Sequence, residues 1–187
     1  MAVSAGKGNR YVKKLMQQGF LQAHEINLGG RGGSIKFLEL TDQGYKAIGM
    51  KPKAGIGKGA GFEHGFWQHH ISEQAKGLPG VRKVMIEGQL MDKFIDILIE
   101  AENEKIGIEI AMNPDHEKIN VEKDVAAGCS KVIIGCKDKL TLETVLKMVV
   151  DFTDDIKDRI ATCLVQKVVE EIGKHLQTKG KPWMTVN

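Results

Sequence analysis

The sequence predicts an α/β fold with a mixed sheet over residues 62–187, preceded by a small basic module. Three observations predict it. Between Val81 and Met112 three short runs, VRKVMIE, KFIDILIE and KIGIEIAM, carry the alternating, β-branched pattern of strands. From His116 onward helical and strand patterns alternate, through HEKINVEKDVAAG, KVIIGC, LTLETVLKMVVDF and RIATCLV, which places helices on the faces of a sheet. Ahead of all this, KPKAGIGKGAG at 51–61 is rich in glycine and lysine and has no periodicity, the signature of a linker.

Residues 1–50 read as helix, hairpin, helix. From Lys7 to Gln18 the apolar positions Val12, Leu15 and Met16 share one face, and Lys7, Arg10, Lys13 and Lys14 cover the others. Ser4 suits a cap and Gly19 a stop. HEINL and SIKFLEL then flank Gly29-Gly30-Arg31-Gly32-Gly33, a glycine-rich turn between two alternating strands. Thr41 caps a short helix, TDQGYKAIG, that ends at Gly49.

The long domain opens with FEHGFWQHHISEQAK, a helix with Phe66, Trp67, His70 and Ile71 inward, broken by Gly77 and Pro79-Gly80. Its order is α-β-β-β-α-β-α-β-α. The tail, 176–187, reads as frayed, with Trp183 available to dock on the body or on a partner.

Charge is unevenly placed. Residues 1–60 hold ten Lys/Arg against three Asp/Glu, while 61–187 hold seventeen against twenty-one, so the net +3 resolves into +7 and −4. A basic N-terminal third points to a polyanion such as DNA; solvated lysines are the alternative. No run of eighteen apolar residues exists, which excludes a transmembrane helix. The N-terminus has no apolar core of a secretory signal. The three cysteines, Cys129, Cys136 and Cys163, form no CxxC pair, and a reducing, cytoplasmic setting is expected.

The chemistry centres on Asp96 and Glu109. A turn at Glu102-Asn103 sets Asp96 directly opposite Glu109; a turn at Asn103-Glu104 sets Asp96 opposite Ala111. In both registers the two acids share a face, because strand side chains alternate with period two. Like charges so placed repel, and burial among Ile95, Ile97, Ile99, Ile106, Ile108 and Ile110 worsens the conflict. A hard divalent cation, Mg²⁺ or Mn²⁺, removes it. The alternative is a solvent-facing pair of surface polars.

An acid on one strand, a hairpin, Glu-x-x on the next strand and a preceding helix bearing Glu73 resemble the PD-(D/E)xK nuclease superfamily, over about 75 residues from Phe62 to Cys136. The resemblance implies a restriction-endonuclease-like αβββαβ core. It implies metal ligation by Asp96, Glu109 and Glu73, and a DNA endonuclease using Mg²⁺ or Mn²⁺. The chain departs from the motif where Ala111 stands in place of its lysine. Lys118 and Lys123 on the following helix are the candidates to supply that cation, with Lys123 preferred. His69 shares a helix face with Glu73, but no HExxH pattern is present. Gly55-x-Gly57-x-Gly59 follows no strand and is no phosphate loop.

The first fifty residues resemble the C-terminal half of a winged helix, with a basic recognition helix, Arg31 at the wing tip and Leu40-Thr41-x-x-Gly44 after the wing. The two helices that usually precede are missing. The expectation is therefore a piece of a larger polypeptide or complex, or self-association through the uncovered apolar face. DNA contacts are expected from Lys7, Arg10, Lys13, Lys14 and Arg31. FEHxFWQH followed by IEIAMNP is similar to C-terminal regions of conjugative DNA-translocating ATPases and mobile-element proteins. That likeness implies a non-catalytic DNA-binding or assembly module as the competing reading.

Overall fold

The computed structural model describes residues 5–29, 33–52 and 61–179. The chain falls into two compact units, Met1–Gly65 and Phe66–Asn187. The Lys7 side chain, Arg31, most of the linker and Trp183 lie outside the described residues.

In the first unit α1 (Ala5–Gln17) is followed by an antiparallel hairpin of β1 (Leu21–Asn27) and β2 (Ser34–Leu40), then α2 (Asp42–Ala47). Gly19 ends α1 at φ 75°, with Gly19 N donating to Met16 O and Phe20 N to Leu15 O, a Schellman closure. The Thr41 hydroxyl joins two elements: it accepts from Gly44 N at 3.1 Å and donates to Gly19 O at 2.5 Å. Gly44 is forced by crowding, since a Cβ there would lie 2.2 Å from Phe20 O. On α1, Arg10, Lys13 and Lys14 are exposed, Val12 and Met16 are half-buried, and Tyr11 and Leu15 face outward.

The second sheet has five strands in the order β3-β4-β5-β6-β7. These are β3 (Val81–Leu90), β4 (Lys93–Ala101), β5 (Lys105–Ala111), β6 (Lys131–Cys136) and β7 (Ile160–Leu164). The first three run antiparallel; β6 joins β5, and β7 joins β6, in parallel. The helices are α3 (Phe62–Ala75), α4 (Glu117–Ala126), α5 (Lys139–Val149), α6 (Asp154–Arg159) and α7 (Val168–Lys179). This is the expected α/β fold with its mixed sheet. The LTLETVLKMVVDF run yields α5 alone, and α6 is a separate short helix after Thr153.

β6 is apolar on both faces because both are covered. Val132, Ile134 and Cys136 pack in one cluster with Val121 of α4 and Val145 of α5. Gly135 lies under α7, where a Cβ would meet Val168 Cγ2 at 2.7 Å. The three thiols are free, and burial pushes each up to about 12. Among the described residues no helix is long and apolar enough to cross a membrane.

Candidate functional site

The β4–β5 turn is the first of the two registers considered. Glu100 pairs with Lys105, and Ala101 N donates to Glu104 O across Glu102-Asn103. The ladder then runs to Ile97 opposite Ile108 and stops. One step further Asp96 would face Glu109. There a side chain takes over from the backbone: Asp96 Oδ2 accepts the Ile110 N–H at 2.8 Å.

The alternation of β4 breaks at this same residue. Leu98 is paired with Gly107, and an added Cβ on Gly107 would lie 3.5 Å from Ile95 Cγ2, so Ile95 and Leu98 face the same way. Three residues apart, they could not do so on a straight strand. Ile95 thus parts from Ile97 and Ile99, whose face regular alternation would give it. On β3 the residue between the Ile86–Ile97 and Gly88–Ile95 pairs is Glu87, which has φ 48°. Both strands are irregular at one level, so the register on either side is preserved. A local break of this kind re-aims a side chain, as bulges beside functional sites do.

Four side chains from four elements meet here. Asp96 comes from β4, Glu109 from β5, Lys123 from α4 and Gln68 from α3. Gln68 is buried and donates from Nε2 to Asp96 Oδ1 at 3.2 Å. Lys123 Nζ donates to the Phe94 carbonyl at 2.6 Å and lies 3.4 Å from Glu109 Oε1. The next residue, Asp124, is fully buried and reaches the same ammonium at 3.5 Å through Oδ1. Glu109 is 4% exposed, so it is not a surface polar.

The electrostatics follow from this crowding. Burial first, then the charges of Asp96 and Asp124, hold the Glu109 carboxyl well above its ordinary value, with Lys123 pulling the other way. Burial likewise raises Asp124, against the pull of Glu109 and Lys123. Burial works against the Lys123 ammonium too, but the carboxylates of Glu109 and Asp124 outweigh it and keep the lysine more basic than usual.

Glu73 is not brought into this group. It is exposed and ion-paired with Lys76 Nζ, 2.5 Å away just past the end of α3, and that contact holds its carboxyl below the ordinary value. Gln68, five residues earlier, is the α3 residue that reaches Asp96. The helix reads five positions off because Trp67, Ile71 and Ala75 set its buried stripe, with Gln68 and Ser72 beside it. Lys118 sits 6.0 Å over the Phe152 ring instead of at the acids, which leaves Lys123 as the helix lysine that meets Glu109. His69 is exposed.

For a divalent ion the site offers Asp96 and Glu109. Among the described residues no group of three or more His, Cys, Asp or Glu side chains is arranged to hold a metal ion. Two carboxylates fit Mg²⁺ or Mn²⁺, which keep several waters and need only one or two protein acids beside a phosphate. Sequence reasoning missed Gln68 and Asp124. The signal for Asp124 was present: Glu117, Val121 and Asp124, spaced four and three, are the buried stripe of α4. Neither a family model nor a curated protein matches the chain.

Proposed function

We propose that this protein binds DNA and that its α/β unit is a PD-(D/E)xK-like domain hydrolysing phosphodiesters with Mg²⁺ or Mn²⁺. The observation that supports the reading is Lys123 of α4 lying 3.4 Å from Glu109, on which the charge of Asp96 also acts; Lys123 would take the place of the lysine that the motif lacks at Ala111. Asp96 and Glu109 would hold the metal, which when bound polarises the phosphate and lowers the pKa of water. Gln68 and the Ile110 N–H fix the Asp96 carboxylate from two directions. Lys123, anchored on the Phe94 carbonyl, orients the attacking water and offsets charge on the phosphate. The new P–O bond forms to water, the bond to the leaving oxygen breaks, and a proton reaches that oxygen. Arg10, Lys13 and Lys14 on the winged-helix-like unit supply salt-sensitive phosphate contacts, with Lys7 and Arg31 as further candidates.

One observation favours the competing reading of a non-catalytic DNA-binding or assembly module of a mobile-element or conjugative DNA-translocation protein. Glu109 is packed at 4% exposure under Lys123, an arrangement that also suits a static ion pair. Supercoiled DNA incubated with Mg²⁺ or Mn²⁺ separates the two. The nuclease reading expects nicking that falls at least about 100-fold in Asp96→Ala, Glu109→Ala and Lys123→Ala. DNA that is bound but left uncut by the unaltered protein would refute it.

A further inference from the structure

Lys123 Nζ is surrounded by oxygens from three elements. They are the Phe94 carbonyl of β4 at 2.6 Å, Glu109 Oε1 of β5 at 3.4 Å and Asp124 Oδ1 of α4 at 3.5 Å. Both acids are nearly or wholly out of solvent, at 4% and 0% exposure. The groups that face Asp124 are the Lys123 ammonium, 3.5 Å from Oδ1, and the Glu109 carboxyl. Two buried carboxylates and a backbone carbonyl are the donor set of a hard divalent ion. Here that set encloses a fixed ammonium.

The neighbouring carboxylate is used differently. The Asp96 oxygens engage Gln68 Nε2 and the Ile110 N–H. Glu109 therefore stands between two acids whose charges act on it, Asp96 and Asp124. Room for the second is made by Gly107, where a Cβ would lie 3.2 Å from Asp124 Oδ2.

We infer that Lys123, held by Asp124 and the Phe94 carbonyl, fills a second cation position behind Glu109, so that the site takes one divalent ion and not two. This rests on the metal reading of Asp96 and Glu109 proposed above. Asp124 is on this account a positioning residue that acts through Lys123. With the lysine gone, Glu109, Asp124 and the Phe94 carbonyl would be the residues to hold an acquired ion.

The test is a count of Mn²⁺ bound by the metal-stripped full chain in equilibrium dialysis, a readout independent of cleavage. The unaltered protein is expected to bind one ion, Lys123→Arg one, Lys123→Met two, and Lys123→Met with Asp124→Asn one. Adding Asp96→Asn to Lys123→Met should remove the original ion and keep the acquired one. Two ions on the unaltered protein, or one with no gain in a folded Lys123→Met, overturns the inference and leaves the metal reading in place; no ion on either overturns both. No ion on the unaltered protein, with one gained in Lys123→Met and lost again with Asp124→Asn, overturns the metal reading and supports the inference. If Lys123→Met does not fold, the unaltered protein decides: one ion supports, two overturn.

Discussion

Replacing Glu109 by Gln should stabilise the α/β unit at neutral and alkaline pH while removing its proposed metal ligand. Glu109 is buried, and burial together with Asp96 and Asp124 raises its carboxyl well above the ordinary 4.5. The sign follows from proton binding. Between the unfolded value and the raised folded value, the folded chain holds a proton that the unfolded chain has released. Stability is thus full below the unfolded value and falls as pH rises through the folded one. The limiting slope for one such group is about 1.4 kcal/mol per pH unit. Asp124, also raised, adds loss of the same sign. Glutamine keeps the shape without the charge, and Lys123 retains Asp124 and the Phe94 carbonyl. The expected gain at pH 8 is about 1–2 kcal/mol, or roughly 3–6 °C in the unit's Tm, fading towards pH 4. Thermal unfolding across pH 4–8, without metal and then with Mn²⁺, measures it; Mn²⁺ should stabilise the unaltered protein and not Glu109→Gln. If Glu109 is instead the satisfied half of a good buried ion pair, its removal should cost about 3–5 kcal/mol. A lower Tm for Glu109→Gln at pH 8, with an unchanged pH slope, would refute the repulsion argument.

Gly107→Ala should cost about 1–3 kcal/mol in unfolding free energy, because its Cβ would lie 3.2 Å from both Asp124 Oδ2 and Cys129 Sγ. In DNA cleavage assays it should also lower the rate at fixed metal, since Asp124 must move. Thr41→Ala removes the cap of α2 and the hydroxyl that joins it to Gly19; about 1–2 kcal/mol should be lost in the transition of the first unit, followed by circular dichroism. Lys13→Ala and Lys14→Ala, both on the exposed face of α1, should each reduce the salt dependence of DNA affinity by about one unit of slope in anisotropy titrations, with little change in sequence preference. Cys129, Cys136 and Cys163, with thiols pushed up to about 12, should resist a disulfide thiol reagent at pH 8 until denaturant is added, since the thiolate is the reactive form.

Much of the architecture could be read from period and punctuation. KVIIGC became β6 over the same six residues, because a short β-branched apolar run suits a strand covered on both faces. Gly19, Thr41 and Gly49 marked helix ends through left-handed φ or a capping hydroxyl, which are local requirements. Counting outward from the turn left two hairpin registers open, and the structure adopts the one with Glu102-Asn103 in the loop. What failed was non-local. Glu73 was favoured as the helix acid by its charge, yet Trp67 and Ile71 decide which side of α3 faces the sheet, and that side carries Gln68. The break at Asp96 was invisible because Ile95 and Ile97 look like consecutive members of one alternating set. Only packing against Gly107 shows that they part.

Packing also disfavours a lysine at position 111, where the proposed motif would place one. Ala111 is fully buried, paired with Cys136, and packed in the cluster of Val121, Val132 and Ile134. An ammonium in that setting would carry a desolvation cost of several kcal/mol. On α4 the same charge keeps partial contact with water, at 20% side-chain exposure, and its tip still reaches Glu109. The helix that carries it also brings a counter-charge, because the inward stripe that ends at Asp124 lies one residue beyond Lys123. Lysine on the strand would need a polar pocket cut into the apolar cluster. Lysine on the helix needs only Gly107 opposite, where the missing Cβ clears space for Asp124. A lysine on α4 is thus the arrangement that this core accommodates, and it ties the cation to Asp124, an acid outside the proposed motif.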